Sequence, residues 1–140
     1  MSIRQGSVGA LLLALLSMTP TTGADPRVDY LLHCAGCHLP DGRGAPPEVP
    51  TLRGELGSIA SSPVGRGYLV RVPGASQAPI DDAALTRVVN WILAEFNADT
   101  LSSNFVPLSV EEVTAARADP LSDPLKYRAQ VWGSAEISYE

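Results

Sequence analysis

Cys34-Ala35-Gly36-Cys37-His38 constrains this chain more than any other stretch. Two thiols three residues apart, with an imidazole directly after them, meet the needs of covalent haem attachment. Each thiol adds to one porphyrin vinyl group, and the adjacent histidine reaches the iron from one face. The chain has no other cysteine, and its two methionines, Met1 and Met18, both precede residue 24. The remainder is therefore expected to fold around one haem c held by Cys34, Cys37 and His38.

Other uses of the motif explain less. A local disulfide or a thioredoxin-like dithiol leaves His38 without a role, and the second would need strand–helix alternation that is absent here. A zinc site needs a second ligand pair, and His33 is the only other histidine.

Residues 1–24 read as a secretory leader. Arg4 supplies a positive start, Val8 to Leu16 an apolar run broken only by Gly9, and Thr22-Gly23-Ala24 a small-residue cleavage site. The run is short for a bilayer, which takes roughly 20 apolar residues, and no cysteine near the site offers a lipid anchor. Export to the periplasm is the expectation. Residues 25–140 suffice for one modest core. Once Arg4 has gone with the leader, nine basic side chains face fifteen acidic ones, a net charge of −6. That balance argues against nucleic acid and anionic membranes and suits a basic patch on a partner protein.

The pattern along the chain predicts an all-α fold. Asp25-Pro26 opens a helix expected to run to about Ala35 and to deliver the cysteines at its end. Residues 39–57 are rich in proline and glycine and leave little room for regular structure. Short helices are expected at Leu56 to Ser62 and Arg66 to Arg71, separated by Pro63 and Gly65. The strongest periodicity, Leu85, Val88, Val89, Ile92, Leu93 and Phe96, predicts a helix from Asp82 to Phe96 with Asp81 as its cap. Beyond a polar linker, Ser109-Val110-Glu111-Glu112 reads as a capping box. Asp123-Pro124 starts a last helix ending near Trp132. The expected division is a haem domain at 25–97 and a helical extension at 98–140.

This order of helix, haem motif, proline-rich loop and long helix, over about residues 26–97, resembles the class I cytochrome c family. Tyr30 and Trp91 stand where that family carries the aromatics that pack where its first and last helices cross. Pro50-Thr51-Leu52-Arg53-Gly54 is similar to the family's Pro-x-Leu-x-Gly stretch. The resemblance implies that the Pro50 carbonyl accepts the ring N–H of His38, strengthening it as a ligand, and that Leu52 packs on the haem. Arg66 and Arg71 flank the distal segment and, with Arg53, are candidate partners for the haem propionates, though each suits an exposed surface equally.

The chain departs from the family at the sixth ligand. Val72-Pro73 best matches the family's Met-Pro, with Ala78-Pro79 as the other option, and neither valine nor alanine coordinates iron. The iron is then five-coordinate beneath Val72 and Leu69, or bound by another side chain (Lys126, Tyr68, Tyr127 or His33), or completed by water or a partner. Three functions stay open. One is single-electron transfer between a periplasmic dehydrogenase and an acceptor such as a terminal oxidase. The others are binding of CO, NO, peroxide or a sulfur compound, and service as the haem subunit of a dehydrogenase complex. No distal histidine is available for peroxide cleavage, so binding is favoured over catalysis.

Overall fold

The computed structural model describes residues 23–46 and 48–132, and its regular structure there is entirely helical. The helices are α1 (Pro26–His33), α2 (Ala35–His38), α3 (Leu56–Ile59), α4 (Pro63–Arg71), α5 (Pro73–Ser76), α6 (Asp82–Phe96), α7 (Val110–Arg117) and α8 (Pro124–Trp132). An isolated bridge between Ala45 and Val49 is the sole β pairing among the described residues. The all-α expectation holds. Most of the expected leader lies outside the described residues, as do residues 133–140 of the expected extension.

The core forms where α1 meets α6. Asp81 caps α6 by accepting the Ala84 N–H at 2.7 Å, and the helix buries Leu85, Val88, Val89, Ile92 and Leu93 on one face. Tyr30 of α1 is 0% exposed, and its ring lies 5.1 Å from Trp91 and 5.6 Å from Phe96. Such tilted and edge-on pairs contribute about 0.5–1.5 kcal/mol each beyond their buried area. The Tyr30 hydroxyl donates to the Leu39 carbonyl at 2.5 Å, and burial raises its pKa to about 12.

Two prolines act as helix starts rather than breaks. Pro63 opens α4 with Ser62 as cap, its side chain accepting the Gly65 N–H at 3.1 Å, so α4 begins earlier than the expected Arg66. Pro73 likewise opens α5 at its first position, directly after Val72. Proline is tolerated at a first helical position because the N–H it lacks has no intrahelical partner there. Gly65 has a second role: a Cβ at this position would lie 1.7 Å from the Ile59 carbonyl oxygen, so α4 can turn this tightly off α3 only with glycine.

Residues 98–132 form an arm laid over α4, α5 and α6. The capping box of α7 is complete, Ser109 accepting from Glu112 N while the Glu112 carboxylate accepts from Ser109 N. Asn90 exchanges two hydrogen bonds with the Leu108 backbone, at 3.0 and 2.8 Å. Arg66 grips Glu112 through two nitrogens at 2.8 and 2.7 Å, and Arg71 grips the Asp119 carboxylate at 2.7 Å and its carbonyl at 2.8 Å. Asp82 accepts from Thr114 at 2.7 Å and from Arg117 at 2.9 Å.

These contacts make docking of the arm acid-sensitive. The Thr114 hydroxyl and then Arg117 hold Asp82 below its ordinary pKa, and Arg66 does the same for Glu112. A carboxylate depressed in the folded state stabilises it above the unfolded pKa of about 4, and that contribution disappears as pH falls through the folded value. Acid titration of the holoprotein followed by amide NMR should release α7 below about pH 4 while α6 stays ordered. Loss of α6 and α7 in one step would contradict this.

Candidate functional site

The cysteine motif lies where α1 breaks and resumes as α2. The Cys34 N–H closes α1 on the Tyr30 carbonyl at 2.8 Å, while the N–H groups of Cys37 and His38 return to the Cys34 carbonyl at 3.2 and 3.0 Å. Residues three apart on a helical turn face the same way, so Cys34 and Cys37 line one side of the same cavity. They are not joined in a disulfide. Burial, followed by the charge of Asp29, pushes the Cys34 thiol above its ordinary pKa.

His38 has one ring nitrogen assigned. Its Nδ1 lies 3.1 Å from the Pro50 carbonyl oxygen. A carbonyl only accepts, so Nδ1 carries the proton and Nε2 keeps the lone pair a metal requires. Burial holds the His38 pKa below its usual value, with the Pro50 bond opposing. The neutral imidazole is thus favoured, and that is the form that ligates.

Gly44 sets the position of the Pro50 carbonyl. Gly44 has φ +67°, donates its N–H to the His38 carbonyl at 2.9 Å, and packs under the returning strand of the loop. A Cβ there would stand 2.5 Å from the Val49 oxygen and 2.7 Å from the Pro50 oxygen. Two Ala45–Val49 backbone bonds, at 2.9 and 3.0 Å, close the same loop. Leu39, directly after His38, takes φ 63° and ψ 157°, a conformation costing on the order of 1–3 kcal/mol for a non-glycine residue. The Tyr30 hydroxyl and the Gly42 N–H, both bonded to the Leu39 carbonyl, hold it there.

A second loop is held by Asn97, which is 1% exposed. Its amide donates to the Leu52 carbonyl at 2.9 Å and the Ile92 carbonyl at 3.1 Å, and its oxygen accepts the Leu56 N–H at 3.0 Å. In sequence it reads only as a helix stop; here it sets Leu52 at the cavity wall.

The cavity has a volume of about 540 Å³, within the range of roughly 300–1,000 Å³ usual for cofactor sites. His33, Cys34, Cys37 and His38 stand on one side, Pro50 and Leu52 on the loop, and Leu85, Val89 and Leu93 behind them. Tyr68, Leu69, Val72, Ala75 and Ala78 form a further wall. Paired thiols, a neutral imidazole with one nitrogen free and a large apolar hollow beside them fit a covalently tethered porphyrin. Among the described residues no three His, Cys, Asp or Glu side chains gather to hold a bare metal ion.

The other sequence candidates divide sharply. Tyr68 and Val72 line the cavity; Arg66 and Arg71 do not, because the arm claims both guanidinium groups. Their expected propionate role has no geometry in this structure. Arg53 is exposed and donates to the Asp41 carbonyl at 3.0 Å. Lys126 is exposed and outside the cavity, and Tyr127 stacks on Tyr68 with ring centres 6.2 Å apart, beneath the Arg71 guanidinium. The arginine that does enter the cavity is Arg128 of α8, 6% exposed, paired with Glu55 and set against the Tyr68 hydroxyl. Burial raises the Tyr68 pKa, with Arg128 opposing. No local signal marks Arg128, since its place depends on how the arm docks.

Comparison with known proteins agrees with this geometry. The chain belongs to the c-type cytochromes. It is 30% identical over 107 residues to a cytochrome c-552 of Thermus thermophilus, covering 64% of this chain and 82% of that protein. It is 29% identical over 130 residues to another cytochrome c-552 from a strain of Thermus thermophilus, covering 80% of this chain and 85% of that protein. No family model matches the chain. Membership of the family implies covalently bound haem c. No helix among the described residues is long and apolar enough to cross a membrane.

Gly44→Ala tests the local architecture. The left-handed backbone alone costs a side chain about 1–2 kcal/mol, and the collision with the Pro50 oxygen adds to it. The variant should lose more than about 2 kcal/mol in urea unfolding of the holoprotein. Wild-type stability would contradict the assignment of Gly44 as the support for Pro50.

Proposed function

We propose that this chain is an exported electron carrier holding a single haem c, with His38 as axial ligand and no methionine opposite. The observation that carries the reading is the Cys34–Cys37–His38 turn on the rim of an apolar cavity, with the His38 ring bonded to the Pro50 carbonyl. The bound haem supplies a one-electron iron couple. The residues around it bind, orient and screen. Thioethers from Cys34 and Cys37 fix the porphyrin edge, Pro50 fixes the imidazole plane, and Leu52, Leu69 and Val72 exclude water. Among the described residues, Arg128 is the arginine in the cavity wall, where Glu55 compensates its charge.

Residues 1–24 serve in this reading as the export leader, 25–97 as the haem domain and 98–140 as an extension that braces it. The periplasm is the expected site of action. The net negative surface suits a redox partner that presents a basic patch, such as a dehydrogenase that donates or a terminal oxidase that accepts. Methionine is a soft ligand that favours ferrous iron, so its absence lowers the potential relative to cytochromes with a Met/His pair. Redox titration should show that lower value. A wild-type potential as high as in Met/His cytochromes would refute the ligand assignment.

A further inference from the structure

We infer that the wall opposite the cysteine motif forms a binding site for a small uncharged ligand at the iron, held closed by Arg117 of the arm. The inference rests on the haem reading above and adds to it what the distal space accepts and what controls entry.

The ligand class follows from the lining. Leu69, Val72, Pro73, Ala75 and Ala78 present hydrocarbon to the cavity. Tyr68 and Arg128 also line the cavity, but they face each other, and Arg128 is paired with Glu55. An anion set against this hydrocarbon wall would lose its hydration with both of those donors already engaged. A neutral diatomic molecule loses little. No methionine follows residue 18, so no thioether competes for the position.

Control of entry follows from Arg117. A methionine ligand would tie this segment to the iron; here the tie comes from the arm instead. Arg117 lies at the end of α7 and reaches back to the turn joining α5 to α6. Its Nε donates to the Ser76 carbonyl at 2.8 Å and its Nη1 to the Ile80 carbonyl at 2.7 Å. Its Nη2 donates to the Ala78 carbonyl, and Nη1 also meets the Asp82 carboxylate at 2.9 Å. One fork thus gathers three successive alternate carbonyls of residues 76–80, the segment that carries Ala78 into the cavity wall. Lysine has the charge but lacks the planar fork, so it cannot hold all three. Arg117 is a positioning residue: it acts on the site through residues 76–80.

The test uses the purified, chemically reduced holoprotein with CO as probe, scored by optical spectrum and by rebinding after flash photolysis. Haem attachment is scored first. Wild type should bind CO slowly and stoichiometrically. Arg117→Ala should bind it about tenfold faster, the change expected if local opening becomes about ten times more frequent. Arg117→Lys should fall between, and all three should share one CO-free spectrum. If Arg117→Ala does not fold, Arg117→Lys and Asp82→Asn carry the same comparison. Azide added to the oxidised wild type should give no spectral shift. A pigmented protein that does not bind CO overturns the site while leaving the electron-carrier reading intact. Equal CO rates in wild type and variants overturn the role of Arg117, and a saturating azide shift overturns the ligand class. A chain that attaches no haem overturns the underlying reading and this inference with it.

Discussion

The bond from the His38 ring to the Pro50 carbonyl is the constraint around which the rest of the molecule is arranged. An imidazole is useful to a metal only in one tautomer and one orientation, and a carbonyl 3.1 Å from Nδ1 selects both. The carbonyl in turn needs the loop to return at that height. Gly44 permits the return, because no side chain fits between its α-carbon and the Pro50 oxygen. On the other flank, Leu39 accepts an unfavourable backbone angle so that the chain leaves His38 in the right direction, and Tyr30 holds it there from within the core. The aromatic cluster of Tyr30, Trp91 and Phe96 thus links the packing of α1 on α6 to the geometry of His38.

The arm has a comparable structural logic on the other side. Besides Arg128, which pairs with Glu55, three arginines bind it to the body, two reaching out from α4 and one reaching back from α7. Each makes at least one bond to a backbone carbonyl as well as to a carboxylate. The carbonyl bonds fix shape, and the carboxylate bonds keep the guanidinium charge compensated where it is half-buried. The arm also delivers Arg128 to the cavity wall. The wall that carries Val72 and Ala78 therefore has its geometry set from outside by hydrogen bonds.

Legibility in the sequence follows the range of the interaction concerned. Helix α6 and the capping box at Ser109 are local, written in a cap and a periodicity, and both lie where the sequence puts them. The motif at Cys34 is readable because its short spacing has its own chemistry, whereas the stretch at Pro50 is readable only through its resemblance to the cytochrome c family. Pro63 and Pro73 are different: proline has one appearance in sequence but two meanings, and only the preceding cap at Ser62 separates a helix start from a break. Arg66 and Arg71 suggest propionate partners because they flank the distal segment in sequence. Their partners, Glu112 and Asp119, lie more than forty residues away, and no local signal reports a contact at that separation. The roles of Asn97 and Arg128 stay hidden in the sequence for the same reason.

The central claim is that His38, oriented by Pro50, is the one side chain of this chain on the iron. Resonance Raman spectroscopy of the reduced holoprotein tests it most directly, because an iron–histidine stretch is seen only when the ferrous iron has no sixth ligand. A clear stretch at the raised frequency of a hydrogen-bonded imidazole is the predicted result. A six-coordinate, low-spin spectrum lacking that band would mean that a second side chain reaches the iron, and would contradict the account.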